Sequence, residues 1–347
     1  MIKNGAQIRS INIFGSNSVL VNKHATEFLN SQVLRVLNIE GEVGECFLGN
    51  IKSLGQLKFL RIDNKFSASK IPEDIEKLQR LETLNVRWQC LEKLPASIIQ
   101  LQKLVRLLVH ESVRLPDGIG SLQALEELSR INLGIQSVKC ISMLSRLFRH
   151  LRELRVWQSD PDATCSFMAS CVPTSPPLRQ LVLNTRDLNR VGPQISSLVN
   201  LTRLRIRVSG EAGNEGINIL ASLPMLLSLT VGLLNDKNGD SGILYARHAI
   251  SRQGFQRLVK FHLRCWREAA VEFEPGAMPM LQRLKLELMA RCQFKFREDE
   301  VEALEDDIRG AAAVHPNRPI LQIQRIRQDW MAQGCSRRPS DHAIVEA

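Results

Sequence analysis

The sequence predicts an α/β solenoid, with a curved parallel sheet on the concave face and helical or irregular segments returning the chain along the convex face. Three observations predict it. One pattern, apolar-x-x-apolar-x-apolar, recurs along most of the 347 residues. Its copies are spaced at a nearly constant interval. No single copy carries enough apolar surface to make a core alone, so neighbours must stack.

The copies are Ile8-Ile11-Ile13, Leu34-Leu37-Ile39, Leu57-Leu60-Ile62, Leu81-Leu84-Val86, Leu104-Leu107-Val109, Leu151-Leu154-Val156, Leu178-Leu181-Leu183, Leu201-Leu204-Ile206, Leu226-Leu229-Val231, Leu258-Phe261-Leu263 and Leu281-Leu284-Leu286. A degenerate copy, Leu125-Leu128-Ile131, runs one residue out of phase. Successive starts lie 26, 23, 24, 23, 21, 26, 27, 23, 25, 32 and 23 residues apart. Most fall within the roughly 20 to 29 residues of a leucine-rich repeat, which makes about 12 repeats.

Within each copy, apolar residues spaced by two share one side of a short strand. Leu84 and Val86 therefore face the core, while Thr83, Asn85 and Arg87 present the other side. The segment "IPEDIEKL" then returns the chain. Pro72 suits the first turn of a helical or 3₁₀ stretch, and Ile75 and Leu78 share one helical face.

Composition narrows the function classes. Apolar runs are broken well short of the roughly 18 to 20 residues of a membrane span. The N-terminus "MIKNGAQIRSINIFGS" has no apolar stretch or cleavage site of a secretory signal, so a cytoplasmic location is expected. Eight cysteines include no C-x-x-C pair, which argues against zinc and a tight disulfide framework. A net charge of +10 attracts acidic surfaces. With one Tyr and four Trp to stack on bases, acidic protein is favoured over nucleic acid as partner.

No enzyme is expected. H-E-x-x-H and G-x-S-x-G are missing, and the seven histidines are dispersed. His110 and His262 fall on presented strand positions, away from a partner cysteine or carboxylate in sequence. The stretch "NDKNGDSGILYAR" imitates a calcium loop at Asp236, Asn238 and Asp240. It fails at Ser241, where glycine is required, and at Arg247, where a bidentate glutamate is required. Asn200-Leu201-Thr202 matches a glycosylation sequon, but Leu201 is a repeat leucine. No catalytic residue, cofactor or metal site is predicted.

The functional surface is sought instead on the presented strand positions. In the later repeats these are Arg203, Arg205, Arg207, Lys260, Arg264, Arg283 and Lys285, against a single acid, Glu287. In the earlier ones the signs mix: Glu40, Arg61, Asp63, Arg87, Arg106, Glu153 and Arg155, with Trp157 a large aromatic. The protein-binding candidates are therefore Arg87, Arg106, Arg155, Trp157 and the seven late cations. Strands about 5 Å apart are expected to gather the late cations into one patch that docks an acidic protein surface, with Trp157 as an anchor.

The segments "KIPEDIEKLQRLETLNV", "KLPASIIQLQKLVRLLV" and "RLPDGIGSLQALEEL" share (I/L)P-x-x-I-x-x-L-x-x-L-x-x-L. Together with "SQVLRVLNIEG", "LEELSRINLG", "GFQRLVKFHLRC" and "GAMPMLQRLKLEL", they resemble the leucine-rich-repeat region of plant intracellular nucleotide-binding disease resistance proteins of the coiled-coil class. The resemblance covers roughly residues 7 to 325. It implies recognition of a pathogen effector, a host protein or a nucleotide-binding domain, and restraint of that domain until recognition. A looser similarity to the Ras-group repeat proteins implies a free-standing signalling scaffold, and a substrate-selecting subunit of a ligase is a third class.

The departures from the plant family are specific. No G-x-x-x-x-G-K-[ST] phosphate loop occurs in the chain, so the resemblance is to the repeat half. The pattern begins within about eight residues of Met1, whereas terminal repeats need a polar cap. A fragment, or a gene truncated relative to the family, is the expectation.

Residues 297 to 314, "REDEVEALEDDIRGAAAV", predict an amphipathic capping helix with acids in its first turn and Val301, Leu304 and Ile308 on one face. A short strand follows in "HPNRPILQIQRI". The predicted organisation is a solenoid over 1–296, a cap over 297–326, and a tail over 327–347 whose loose polar composition predicts disorder.

Overall fold

A computed structural model describes residues 8–14, 33–41, 43–63, 70–88, 90–157, 161–171, 177–185, 194–209, 214–234, 248–250, 254–266, 271–274, 276–291 and 298–328. Alternation along each repeat produces a short strand with one apolar side. The strands are β1 (Ser10–Phe14), β2 (Val36–Glu40), β3 (Phe59–Asp63), β4 (Thr83–Val86), β5 (Arg106–Val109), β6 (Glu127–Ile131), β7 (Glu153–Val156), β8 (Gln180–Thr185), β9 (Arg203–Ser209), β10 (Ser228–Leu234), β11 (His248–Ile250), β12 (Lys260–Trp266), β13 (Val271–Phe273), β14 (Arg283–Arg291) and β15 (Ile320–Gln328).

Among the described residues, thirteen of these make one open parallel sheet in chain order, and β11 pairs with β13 in a separate small sheet. The molecule is a leucine-rich-repeat solenoid.

Register explains the stack. Leu60 pairs with Leu84, Leu84 with Leu107, Leu107 with Leu128, and Leu128 with Leu154, so equivalent leucines line up along the array. All are buried in one continuous core. Burying each such side chain fully contributes about 1.5–3 kcal/mol.

The out-of-phase copy is a β-bulge. The β6–β7 register shifts between Ser129 and Ile131, and the extra residue, Arg130, takes φ 63°. One added residue restores Ile131 to the core and turns Arg130 toward the presented side.

The return segments change along the chain. In the repeats after β3, β4 and β5 they are 3₁₀ turns at Glu73–Lys77, Ala96–Gln100 and Ile119–Ser121, each burying one isoleucine. Their 2.0 Å rise per residue carries the chain back with few residues. Pro72 stands one residue earlier than predicted, as an extended cap with ψ 148°, and its carbonyl accepts the Ile75 amide at 3.1 Å.

Elsewhere the chain holds α-helices: α1 (Glu45–Asn50), α2 (Val138–Leu147), α3 (Pro161–Cys171), α4 (Asn214–Ala221) and α5 (Glu298–Val314). Gly120 lies so close to α2 that an added Cβ would come within 2.7 Å of the Met143 carbonyl, which excludes any larger residue. No helix among the described residues is long and apolar enough to cross a membrane.

At the C-terminal end α5 buries Ile308 and Ala312. The side chains of Val301 and Leu304 lie outside those described. Glu305, also buried, accepts Arg325 at 2.7 Å and Arg309 at 2.9 Å. Those hydrogen bonds, Arg325 first, hold its carboxyl below the usual range despite burial. The last strand extends through Gln328, two residues beyond the predicted cap boundary. The remaining tail and the calcium-loop imitation at residues 235–247 lie outside the described residues.

Candidate protein-recognition face

Every protein-binding candidate lies on the presented side of the sheet, and register sorts them into rows. Arg203, Ser228, Lys260 and Arg283 are partners across β9, β10, β12 and β14, forming a first row whose three cations are exposed. Arg205, Thr230, His262 and Lys285 form the second row, and Arg207, Gly232, Arg264 and Glu287 the third.

The late cations do come together, but Glu287 gathers several of them. Its carboxylate lies 2.6 Å from Lys285 Nζ, 2.6 Å from Arg264 Nε and 3.2 Å from His262 Nε2. Burial raises the Glu287 pKa, and the approach of His262 and Lys285 with the charge of Arg264 outweighs it, leaving the group far below the usual carboxylate range. His262, which the sequence sets apart from any carboxylate, thus has one across the β12–β14 step. Arg203, Lys260 and Arg283 stay exposed along the first row.

Trp157 follows the end of β7, its amide bonded to the Ile131 carbonyl at 2.7 Å. The Arg207 guanidinium lies over its ring at 4.8 Å and the Arg130 guanidinium at 5.3 Å, arriving from the β9 and β6 sides. Trp157 is thus a platform already lined by cations. Arg130 was missed by the motif spacing because it is the bulge residue, and its only sequence signal is the extra position before Ile131.

In the earlier repeats most of the presented cations have a carboxylate within reach. Arg61 lies 3.6 Å from Asp63, Arg106 3.4 Å from Glu127, and Arg130 3.8 Å from Glu111, which also lies 3.4 Å from His110. Arg155 Nε donates to Glu153 at 2.7 Å. Glu127 is pushed above its ordinary pKa by burial and by Glu153, against the pull of Arg155, Arg106 and Arg87.

Arg87 differs. Its Nε is shut off from solvent and has no hydrogen-bond partner among the described residues. Burial, then the like charges of Arg130, Arg155 and Arg61, act against its charged form, and Glu127 is the carboxylate that opposes them.

Among the described residues, no group of three or more His, Cys, Asp or Glu is placed to hold a metal ion. The chemistry on this face is ionic and hydrogen-bonding, suited to recognition.

A family model described as a leucine-rich repeat region matches residues 7–170 and 136–296. The chain is 26% identical over 327 residues to disease resistance protein RGA5 of rice (Oryza sativa subsp. japonica), covering 84% of this chain and 28% of that protein. It is 25% identical over 293 residues to rice disease resistance protein Pik-2, covering 65% and 28%, and 24% identical over 369 residues to rice RGA4, covering 91% and 36%. The chain thus spans about a third of the length of these relatives or less. Among solved structures, an internalin (inlF) from Listeria monocytogenes superposes with a TM-score of 0.51 at 15% identity, covering 87% of this chain and 77% of that one, a likeness of fold alone.

Proposed function

This chain belongs to the leucine-rich repeat region family, and from that premise we propose that it is the protein-recognition module of a plant disease resistance receptor, binding a pathogen effector or a host protein. The observation that carries the proposal is the presented face itself. Thirteen parallel strands hold their outward side chains in fixed rows, and those rows carry Arg, Lys and one cation-lined Trp. Arg and Trp are the residues that dominate protein interfaces. Similarity to rice disease resistance proteins along most of the chain supports the receptor context.

On this proposal the module recognises and does not catalyse. A cytoplasmic location belongs to the same proposal and follows from the resemblance to intracellular receptors. A nucleotide-binding domain is a further candidate partner.

The test is affinity capture from plant tissue by the wild-type chain and by a variant with Arg203, Arg205 and Arg207 all changed to Glu. Proteins captured by the wild type and lost by an equally folded variant are the expected result. Identical capture by both overturns the role of this face.

A further inference from the structure

We propose that Arg87 is a seat for a carboxylate on an acidic segment of a protein partner, with Arg61, Arg130 and Arg155 around it and the Arg130–Trp157–Arg207 stack as its neighbour. It rests on the recognition role proposed above and names the chemistry recognised.

The inference starts from a charge count over neighbouring strands. Arg61, Arg130 and Arg155 each have a carboxylate of their own in Asp63, Glu111 and Glu153, and Glu127 lies beside Arg106. Arg87 is left with only the more distant pull of Glu127, and its enclosed Nε has no hydrogen-bond acceptor among the described residues. A guanidinium does not shed its proton, so the pressure on it from burial and three like charges stays in the free protein. An incoming carboxylate relieves that pressure and supplies the missing acceptor, and Arg is built to hold carboxylates through paired N–H groups.

The surroundings favour a peptide over a nucleic acid. Asp63, Glu111, Glu127 and Glu153 share this part of the face, and a closely spaced run of phosphates would meet all of them. Isolated carboxylates on a peptide can reach Arg87 between those acids. The Trp157 ring is already covered by Arg130 and Arg207, which leaves it poorly placed to stack on a base.

The experiment is fluorescence anisotropy with a labelled peptide rich in Asp and Glu, its Asn and Gln counterpart, and a single-stranded oligonucleotide. Each is titrated with the full chain, with Arg87→Gln, and with Lys103→Gln, an exposed lysine before β5. The acidic peptide is expected to bind more tightly than its neutral counterpart, and about tenfold more weakly to Arg87→Gln, the loss of one charge-assisted contact. Lys103→Gln is expected to match the wild type. The melting temperature of Arg87→Gln is expected to equal or exceed that of the wild type, because relief of burial and of the like charges of Arg130, Arg155 and Arg61 outweighs the lost attraction of Glu127.

Unchanged peptide binding in Arg87→Gln, a lowered melting temperature, or tighter binding of the oligonucleotide than of the peptide would each overturn the proposal. If the seat fails while reversal of Arg203, Arg205 and Arg207 still abolishes capture, recognition stands without this chemistry. If reversal leaves capture intact, the recognition role of that face fails whatever the peptide does.

Discussion

The Arg207 guanidinium lies 4.8 Å from the centre of the Trp157 ring, although two strand steps separate β9 from β7. The long side chain spans β8 and ties three repeats together on their presented side. A double-mutant cycle between Arg207→Gln and Trp157→Leu, read by urea unfolding, is expected to give a coupling of about 0.5–1 kcal/mol, the value of a partly exposed cation–π contact. Additive effects would contradict the contact.

The bulge at Arg130 makes a second prediction. A non-glycine residue at φ 63° carries a backbone cost of about 1–2 kcal/mol that glycine escapes. Arg130→Gly and Arg130→Ala both remove the cation over Trp157, so comparing them isolates the backbone. Arg130→Gly is expected to be more stable than Arg130→Ala by about 1 kcal/mol. Equal stability would show that the bulge relaxes without glycine.

Glu287 sets a pH dependence. Its folded pKa lies far below the ordinary value, so it stabilises the fold above its unfolded pKa of about 4.3. That contribution is lost progressively as pH falls below this value toward the folded pKa. The wild type is expected to lose more stability than Glu287→Gln between about pH 5 and pH 3, so that their melting temperatures converge on acidification. Parallel curves would contradict the ion-pair cluster with Lys285, Arg264 and His262.

Two thiols are expected to differ in reactivity. Burial, with the charge of Asp117, pushes the Cys140 thiol up to about 11, whereas Cys90 is exposed. The thiolate is the reactive form. Under native conditions iodoacetamide is expected to modify Cys90 and spare Cys140, with both modified after unfolding. Native labelling of Cys140 would contradict its burial.

The repeat made much of this fold legible before any coordinates, because a period of 2 within the strand and a near-constant interval between strands both leave direct marks in the residue order. Leu60, Leu84, Leu107, Leu128 and Leu154 could be assigned to the core from spacing alone. The β11–β13 sheet could not, since strands of three residues carry no pattern. Trp88 was equally silent. It is buried, and its indole N–H donates to the Ile62 carbonyl, an arrangement that register creates and composition does not reveal.

The candidate face was legible by position and not by energetics. Strand alternation identified which side chains are presented, but ion pairing depends both on neighbours two residues along the strand and on those of the adjoining repeats, and on side-chain reach. Arg264 and Lys285 counted as late cations in the sequence, and the structure places both beside Glu287. Arg87 stood in a stretch of mixed signs, and the structure leaves its Nε without an acceptor among the described residues.

Hydrogen–deuterium exchange on the chain, alone and with a captured partner, tests recognition by the presented face most directly. The expected result is new protection on β3 to β9, at the strand ends that carry Arg87, Arg130, Trp157 and Arg207, with the 3₁₀ and helical return segments unchanged. Protection confined to those return segments would contradict it.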